Sequence, residues 1–132
     1  MIKAPSWLYV KKVPGKGRGV FTARRIKKGA ILEISPVIVL STEDCSHVRK
    51  TVLDLYRFAW RGNRKQSAIA LGFGSLFNHS YQPNAICKRG LRGKKIFFLA
   101  LRDISAGEEI TINYKGPKGL PDGKGPAWLR VT

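Results

Sequence analysis

Three short stretches of this chain gather the residue types that do chemistry. Lys16-Gly17-Arg18-Gly19 sets two cations in a glycine turn, and Phe77-Asn78-His79-Ser80-Tyr81-Gln82-Pro83-Asn84 holds an amide beside an imidazole. Gly107-Glu108-Glu109-Ile110-Thr111-Ile112-Asn113-Tyr114 runs from an acidic pair to a phenol. In the first stretch, glycine lets the backbone approach a ligand closely, and exposed amides beside Lys16 and Arg18 can hold a carboxylate. It is no dinucleotide fingerprint, because the six-residue glycine spacing and a following helix pattern are missing. Taken singly, the turn reads as an ordinary loop and His79 as a structural histidine. Glu108 with Glu109 looks like a paired-carboxylate acid–base site, and Tyr56 and Phe58 read as core aromatics. Asn78-His79-Ser80 also spells a glycosylation sequon, irrelevant to an intracellular chain.

Short strands must position these groups. Trp7-Leu8-Tyr9-Val10 is β-prone, and Pro14 to Gly19 is a basic loop leading into a second run at Val20-Phe21-Thr22. Ala30 to Leu40 is almost continuously apolar but carries Pro36, which predicts two strands meeting at a bend. Ser41-Thr42-Glu43-Asp44 offers capping groups for a short helix. Leu55 to Trp60 alternates as a strand, closed by a turn at Arg61-Gly62-Asn63. Ala85 to Lys88 and Lys95 to Leu101 flank a cationic Gly90/Gly93 turn in a hairpin pattern. In Glu109 to Tyr114 the period of two puts Ile110, Ile112 and Tyr114 on one face, expected to be core. A Gly/Pro-rich loop, Gly116 to Pro126, then leads to Ala127-Trp128-Leu129, where the tryptophan is expected to dock.

At 132 residues the chain has the size of one domain. Its hydrophobic fraction of 43% and its 14 glycines fit neither a disordered chain nor a helical bundle, and point to short strands joined by turns. The formal charge of +17 is extreme, and no acidic residue precedes Glu33. Cations concentrate in Lys11 to Lys28 and Lys88 to Lys95, so the surface attracts polyanions, with nucleic acid or an acidic protein face as partner. A single-strand reader would also need aromatics interleaved with cations on one exposed strand face, and Lys11 to Lys28 holds only Phe21. Cys45 and Cys87 have no zinc or disulfide spacing, which suggests two free thiols in a reducing compartment. The apolar runs are too short to span a bilayer and the N-terminus lacks a signal-peptide core, so an intracellular chain in cytoplasm or in nucleus or nucleoid is expected, without membrane contact.

In their order and separations the three stretches resemble the signature of the SET-domain lysine methyltransferases, a likeness running from about Trp7 to Trp128. The resemblance implies a mainly β, SET-domain (β-clip) fold of small curved sheets with little helix around a knot-like active site. It implies one domain over residues 1–132, with 115–132 as a tail, and S-adenosylmethionine as cofactor with no metal. Lys16, Gly17 and Arg18 would hold the amino-acid end of that cofactor, and Asn78 and His79 would contact it through backbone and amide groups. Tyr114 would face the junction of cofactor and substrate lysine, and Tyr56 would share its catalytic surroundings and approach the cofactor. Tyr56 and Phe58 would line the lysine channel. Ile112 stands where many relatives carry Tyr or Phe and would influence how many methyl groups are added. Tyr81 stands where many eukaryotic members have Cys, consistent with a chain lacking a zinc-tied tail, and Trp128 would close over the adenine or the lysine entrance instead. Glu108 and Glu109 become strand-leading residues with no proton transfer assigned.

Methyl transfer to an amine is an in-line displacement, so such a site needs orientation, polar oxygens near the donor methyl group, and loss of the lysine proton. The implied substrate is a lysine of a histone or another nucleic-acid-associated protein. Two other functions compete: a catalytically silent SET module, and a small basic β-protein that binds nucleic acid.

Overall fold

The computed structural model describes residues 7–60 and 66–115. Among the described residues, strand accounts for 47% and helix for 14%, which makes the protein mainly β. The expected first hairpin forms from β1 (Leu8–Val13) and β2 (Gly17–Thr22). Gly15 and Gly17, at φ 78° and 77°, take the left-handed conformations that this tight reversal requires. The second expected hairpin pairs β7 (Ala85–Gly90) with β8 (Lys95–Ala100) in full register from Ala85↔Ala100 to Gly90↔Lys95.

Between them lie β3 (Ile31–Leu40), helix α1 (Thr42–Val48), β4 (Arg57–Ala59), β5 (Ser67–Ala70) and the two-residue β6 (Asn78–His79); β9 (Glu109–Ile112) comes last. Short 3-10 helices span Val52–Tyr56 and Gly74–Leu76. One sheet has the order β1-β2-β9-β6 and the other β4-β5-β3-β8-β7. The helix α1 starts where the sequence predicts. Ser41 accepts from the Asp44 N–H while Asp44 accepts from the Ser41 N–H, a reciprocal capping box.

The core joins the sheets through Phe98, which is fully buried and packs edge-on against Phe58 at 6.0 Å and tilted against Phe77 at 4.8 Å. Val20, Leu32, Ile96, Ile104, Ile110 and Ile112 fill the remainder at 0–1% exposure. Each such side chain contributes roughly 1.5–3 kcal/mol by leaving water, and together they clamp the base of β9 beneath the motif residues.

Three expectations change. Pro36 does not split its run: β3 is continuous, and Pro36 marks where it changes partner. Residues up to Pro36 pair with β8, whereas Val37–Leu40 pair with β5. A residue without an N–H fits that handover because it has no bond to donate to either ladder. The run from Leu55 is strand only from Arg57 to Ala59, because Val52–Tyr56 forms a 3-10 helix with Thr51 capping the Leu53 N–H. Tyr114 does not share the core face, since β9 ends at Ile112 and Tyr114 is 60% exposed. The expected turn at Arg61-Gly62-Asn63, the Gly/Pro loop and Trp128 lie outside the described residues. Among the described residues no helix is long and apolar enough to cross a membrane.

Candidate active site

The site is built around β6. Its two residues run parallel to β9, Asn78 beside Thr111 and His79 beside Ile112, and the Ser80 N–H donates to the Ile112 carbonyl at 2.9 Å. This register sends the Asn78 side chain toward the glycine turn and brings His79 to Tyr114.

On the first side, Asn78 Nδ2 donates to the Arg18 carbonyl at 3.0 Å and to Glu109 Oε2 at 2.7 Å. Lys16 Nζ stands 3.9 Å from Glu109 Oε1. Gly19 lies beneath this cluster: a Cβ there would collide with Glu109 Oε2 and come within 2.8 Å of Asn78 Nδ2. The position therefore needs glycine because other side chains occupy the space, not because its backbone is unusual. Asn78 and Glu109, distant in sequence from the turn, thus meet at Lys16 and at the Arg18 carbonyl. Gly17 opens the strand beside them with nothing within 4 Å of where a Cβ would stand. Cations next to an open backbone suit an anionic group such as a carboxylate.

On the second side, the Tyr114 N–H donates to His79 Nδ1 at 3.0 Å, and the Tyr114 hydroxyl donates to the Phe77 carbonyl at 2.9 Å. The His79 ring lies 5.0 Å from that of Tyr114 and edge-on to Tyr81 at 4.6 Å. Because Nδ1 accepts, the neutral imidazole carries its proton on Nε2. Burial pushes the Tyr114 phenol above its ordinary value, and the nearby Tyr56 phenol and the Glu109 carboxylate add to this, against a smaller opposing effect of the main-chain contact with His79. Tyr56, half-buried at the end of its 3-10 helix, therefore lies within electrostatic reach of Tyr114. Phe58 is half-buried against Phe98, which in turn packs on Phe77, whose carbonyl holds the Tyr114 hydroxyl. Ile112 is 1% exposed and belongs to the core beneath. Trp128 lies outside the described residues.

Two positions that shape the candidate site had no local signal of their contacts. Glu109, which ties Asn78 to Lys16, reads in sequence as half of an acidic pair. Asn84, 3% exposed, donates to Glu108 Oε2 and to the Glu109 carbonyl and accepts from the Thr111 N–H, so it pins the start of β9 to the loop before β7. Only the motif itself, Pro83-Asn84, marks it. Glu108 faces Arg102 at 2.8 Å. Desolvation would raise its carboxyl, but Arg102 and Asn84 outweigh that and hold it below the ordinary value, as suits a carboxylate engaged in structure. Burial pushes the Cys87 thiol up to about 11, which leaves it unreactive near neutral pH.

This arrangement matches known proteins. The SET domain family model covers residues 17–115. The chain is 37% identical over 115 residues to the Schizosaccharomyces pombe "Histone-lysine N-methyltransferase, H3 lysine-37 specific", covering 86% of this chain and 76% of that protein. It is 49% identical over 57 residues to the Arabidopsis thaliana "Histone-lysine N-methyltransferase ATXR7", covering 42% of this chain but only 4% of that much longer protein. The crystal structure of a Plasmodium falciparum "putative histone methyltransferase" superposes with a TM-score of 0.68 at 28% identity, covering 83% of this chain and 94% of that one. The curled sheets, the β6–β9 pairing and the motif residues gathered there are accounted for together: the chain belongs to the SET-domain family of protein-lysine methyltransferases.

Proposed function

We propose that this chain methylates the side-chain amine of a lysine on a histone or another nucleic-acid-associated protein, with S-adenosylmethionine as donor and Tyr114 as the residue that orients the amine. The observation that carries this reading is the anchoring of Tyr114 at both ends, by His79 and by the Phe77 carbonyl, beside the cluster of Lys16, Arg18 and Asn78. The names of the relatives support the histone class.

The residues present fit the donor. Lys16 and Arg18 offer positive charge to its carboxylate, and the open space beside Gly17 leaves the backbone accessible to it. Asn78 and His79 would hold the remainder of its amino-acid end. S-adenosylmethionine supplies an electrophilic methyl carbon to the amine. Trp128 is the proposed cover of the adenine or of the lysine entrance.

The chain's own work is to prepare the nucleophile. A free lysine carries a proton at neutral pH, with a pKa of about 10.4, and must lose it to attack. Tyr56 and Phe58 give aromatic walls that accept the aliphatic stem while penalising the ammonium, so the proton leaves to water more readily. Because the Tyr114 hydroxyl gives its hydrogen to the Phe77 carbonyl, its oxygen lone pairs remain to accept an amine N–H and aim the nitrogen. Its raised pKa keeps that hydroxyl protonated, which makes it an orienting dipole and not the base. Ile112, buried directly beneath the site and aliphatic, adds no second hydrogen-bonding group there and is the proposed influence on how many methyl groups are added.

The test is incubation with methyl-labelled S-adenosylmethionine and a panel of histones and basic lysine-bearing tails, comparing wild type with Tyr114→Phe. Label on lysine that the substitution removes is the expected result. A folded wild type that binds the donor yet labels neither panel nor itself would mark a silent module instead.

A further inference from the structure

Hairpin register places on one face aromatic and cationic side chains that are scattered in sequence. Tyr9 lies opposite Phe21, and Lys11 opposite Gly19. The other face of the hairpin carries Leu8, Val20 and Thr22, at 6%, 0% and 0% exposure, and is turned to the core. Tyr9, 38% exposed, stacks on Phe21 with centroids 5.8 Å apart and planes 21° from parallel, and Lys11 Nζ lies 5.1 Å from the Phe21 centroid. Lys12 and Arg18, which the register places opposite each other on the reverse face of the hairpin, are exposed and add only to the general positive field, and among the described residues β1 is an edge strand with nothing paired on its outer side. Neither strand contains a carboxylate; the one nearest, Glu109 opposite Phe21, is turned to Lys16 and Asn78.

From this we infer that the outer face of the β1–β2 hairpin is a docking surface for single-stranded nucleic acid, taken up by stacking of a base on the Tyr9–Phe21 pair and by phosphate contact to Lys11. Protection of a sheet edge accounts for lysines but not for a half-exposed aromatic stack beneath one of them. Stacked rings with flanking cations are what a strand with open base faces requires, whereas a duplex hides those faces. The chain's charge of +17 supplies the complementarity to a polyanion. Tyr9, Phe21 and Lys11 are not among the residues assigned to methyl transfer.

The test is fluorescence anisotropy of the full chain with a labelled oligodeoxythymidylate and with a duplex of equal length, at a series of salt concentrations. The single strand should bind more tightly than the duplex. Tyr9→Ala should weaken it by about tenfold and Tyr9→Phe hardly at all, as expected for loss of one stacked base. Lys11→Ala should flatten the salt dependence by roughly 0.7 in logarithmic slope. Methyl transfer to a short peptide should be unchanged in both Tyr9 variants, so the surface and the proposed reaction fail separately. Equal binding of duplex and single strand, or a folded Tyr9→Ala variant with wild-type affinity, would overturn the inference and leave only diffuse electrostatic attraction.

Discussion

The main-chain N–H of Tyr114 donates to Nδ1 of His79 across 3.0 Å, although 35 positions separate the two residues. The bond is possible because β6 runs parallel to β9 and delivers His79 level with Ile112, two residues before Tyr114. Once β9 ends, the imidazole takes over from the sheet ladder in holding the tyrosine backbone. The phenol can then reach the Phe77 carbonyl from outside the core.

Tyr114→Phe should separate stability from turnover. Losing one hydrogen bond to a carbonyl costs about 1 kcal/mol, whereas losing the oxygen that aims the amine should lower single-turnover methyl transfer by roughly a hundredfold or more. Urea unfolding alongside rapid-quench assays reads both. A variant of wild-type rate would remove Tyr114 from the reaction.

The pH profile follows from the direction of the Tyr114 shift. Its folded pKa is raised above 10.0, chiefly by burial, so the hydroxyl stays protonated through the range in which lysine deprotonates. Transfer should climb with pH toward about 10 without a falling limb from this residue. The associated stability is fully present below the ordinary tyrosine value and declines only as pH rises beyond it toward the folded one. A descending limb near neutral pH that vanishes in Tyr114→Phe would contradict this.

Asn78 and Glu109 should act as one unit in donor binding. Asn78→Ala removes the amide that spans Arg18 and Glu109, and should weaken S-adenosylmethionine binding by about tenfold or more in calorimetry. Glu109→Gln should cost less, and the double variant should lose less than the sum because the pair shares a contact. Strict additivity would show that the contact has no bearing on the donor.

Gly19 and Gly17 should differ in kind. Gly19→Ala drives a methyl group into Glu109 and Asn78, costing roughly 1–3 kcal/mol and donor affinity together. At Gly17, φ is 77° with open space around it, so Gly17→Ala should cost about 1–2 kcal/mol of backbone strain and leave the Asn78–Glu109 contact intact. Denaturant unfolding with and without S-adenosylmethionine distinguishes the two.

Glu33 is 3% exposed, and desolvation raises its pKa above 4.5 even though the Phe73 N–H donates to it at 2.7 Å. The protonated form is thus the one that the fold favours: the associated stability is present below the ordinary glutamate value and lost as pH rises through the folded one. Glu33→Gln, which keeps an acceptor for Phe73, should be more stable than wild type at neutral pH. The advantage should shrink as pH falls to about 4, a trend readable from urea midpoints. A constant difference at all pH values would mean that the carboxyl does not titrate differently on folding.

The sequence by itself determined most element types, though not the 3-10 helix before β4 or the continuity of β3, and it determined the family. Alternation in Lys95–Ala100 and Glu109–Ile112, the capping residues at Ser41 and Asp44, and the glycines of the first turn are local signals, and each acts within a few residues of itself. Motif order then named candidate residues for the site, because these types at these separations are a joint demand of one chemistry. What only the tertiary structure decided was partnership. Glu109 joins Asn78 instead of acting with Glu108, Tyr9 stacks on Phe21, and β3 passes at Pro36 from β8 to β5. Backbone propensity leaves such choices open; they are made when burial of Phe98, Ile110 and Ile112 sets the strands' registers and thereby selects which distant polar groups meet.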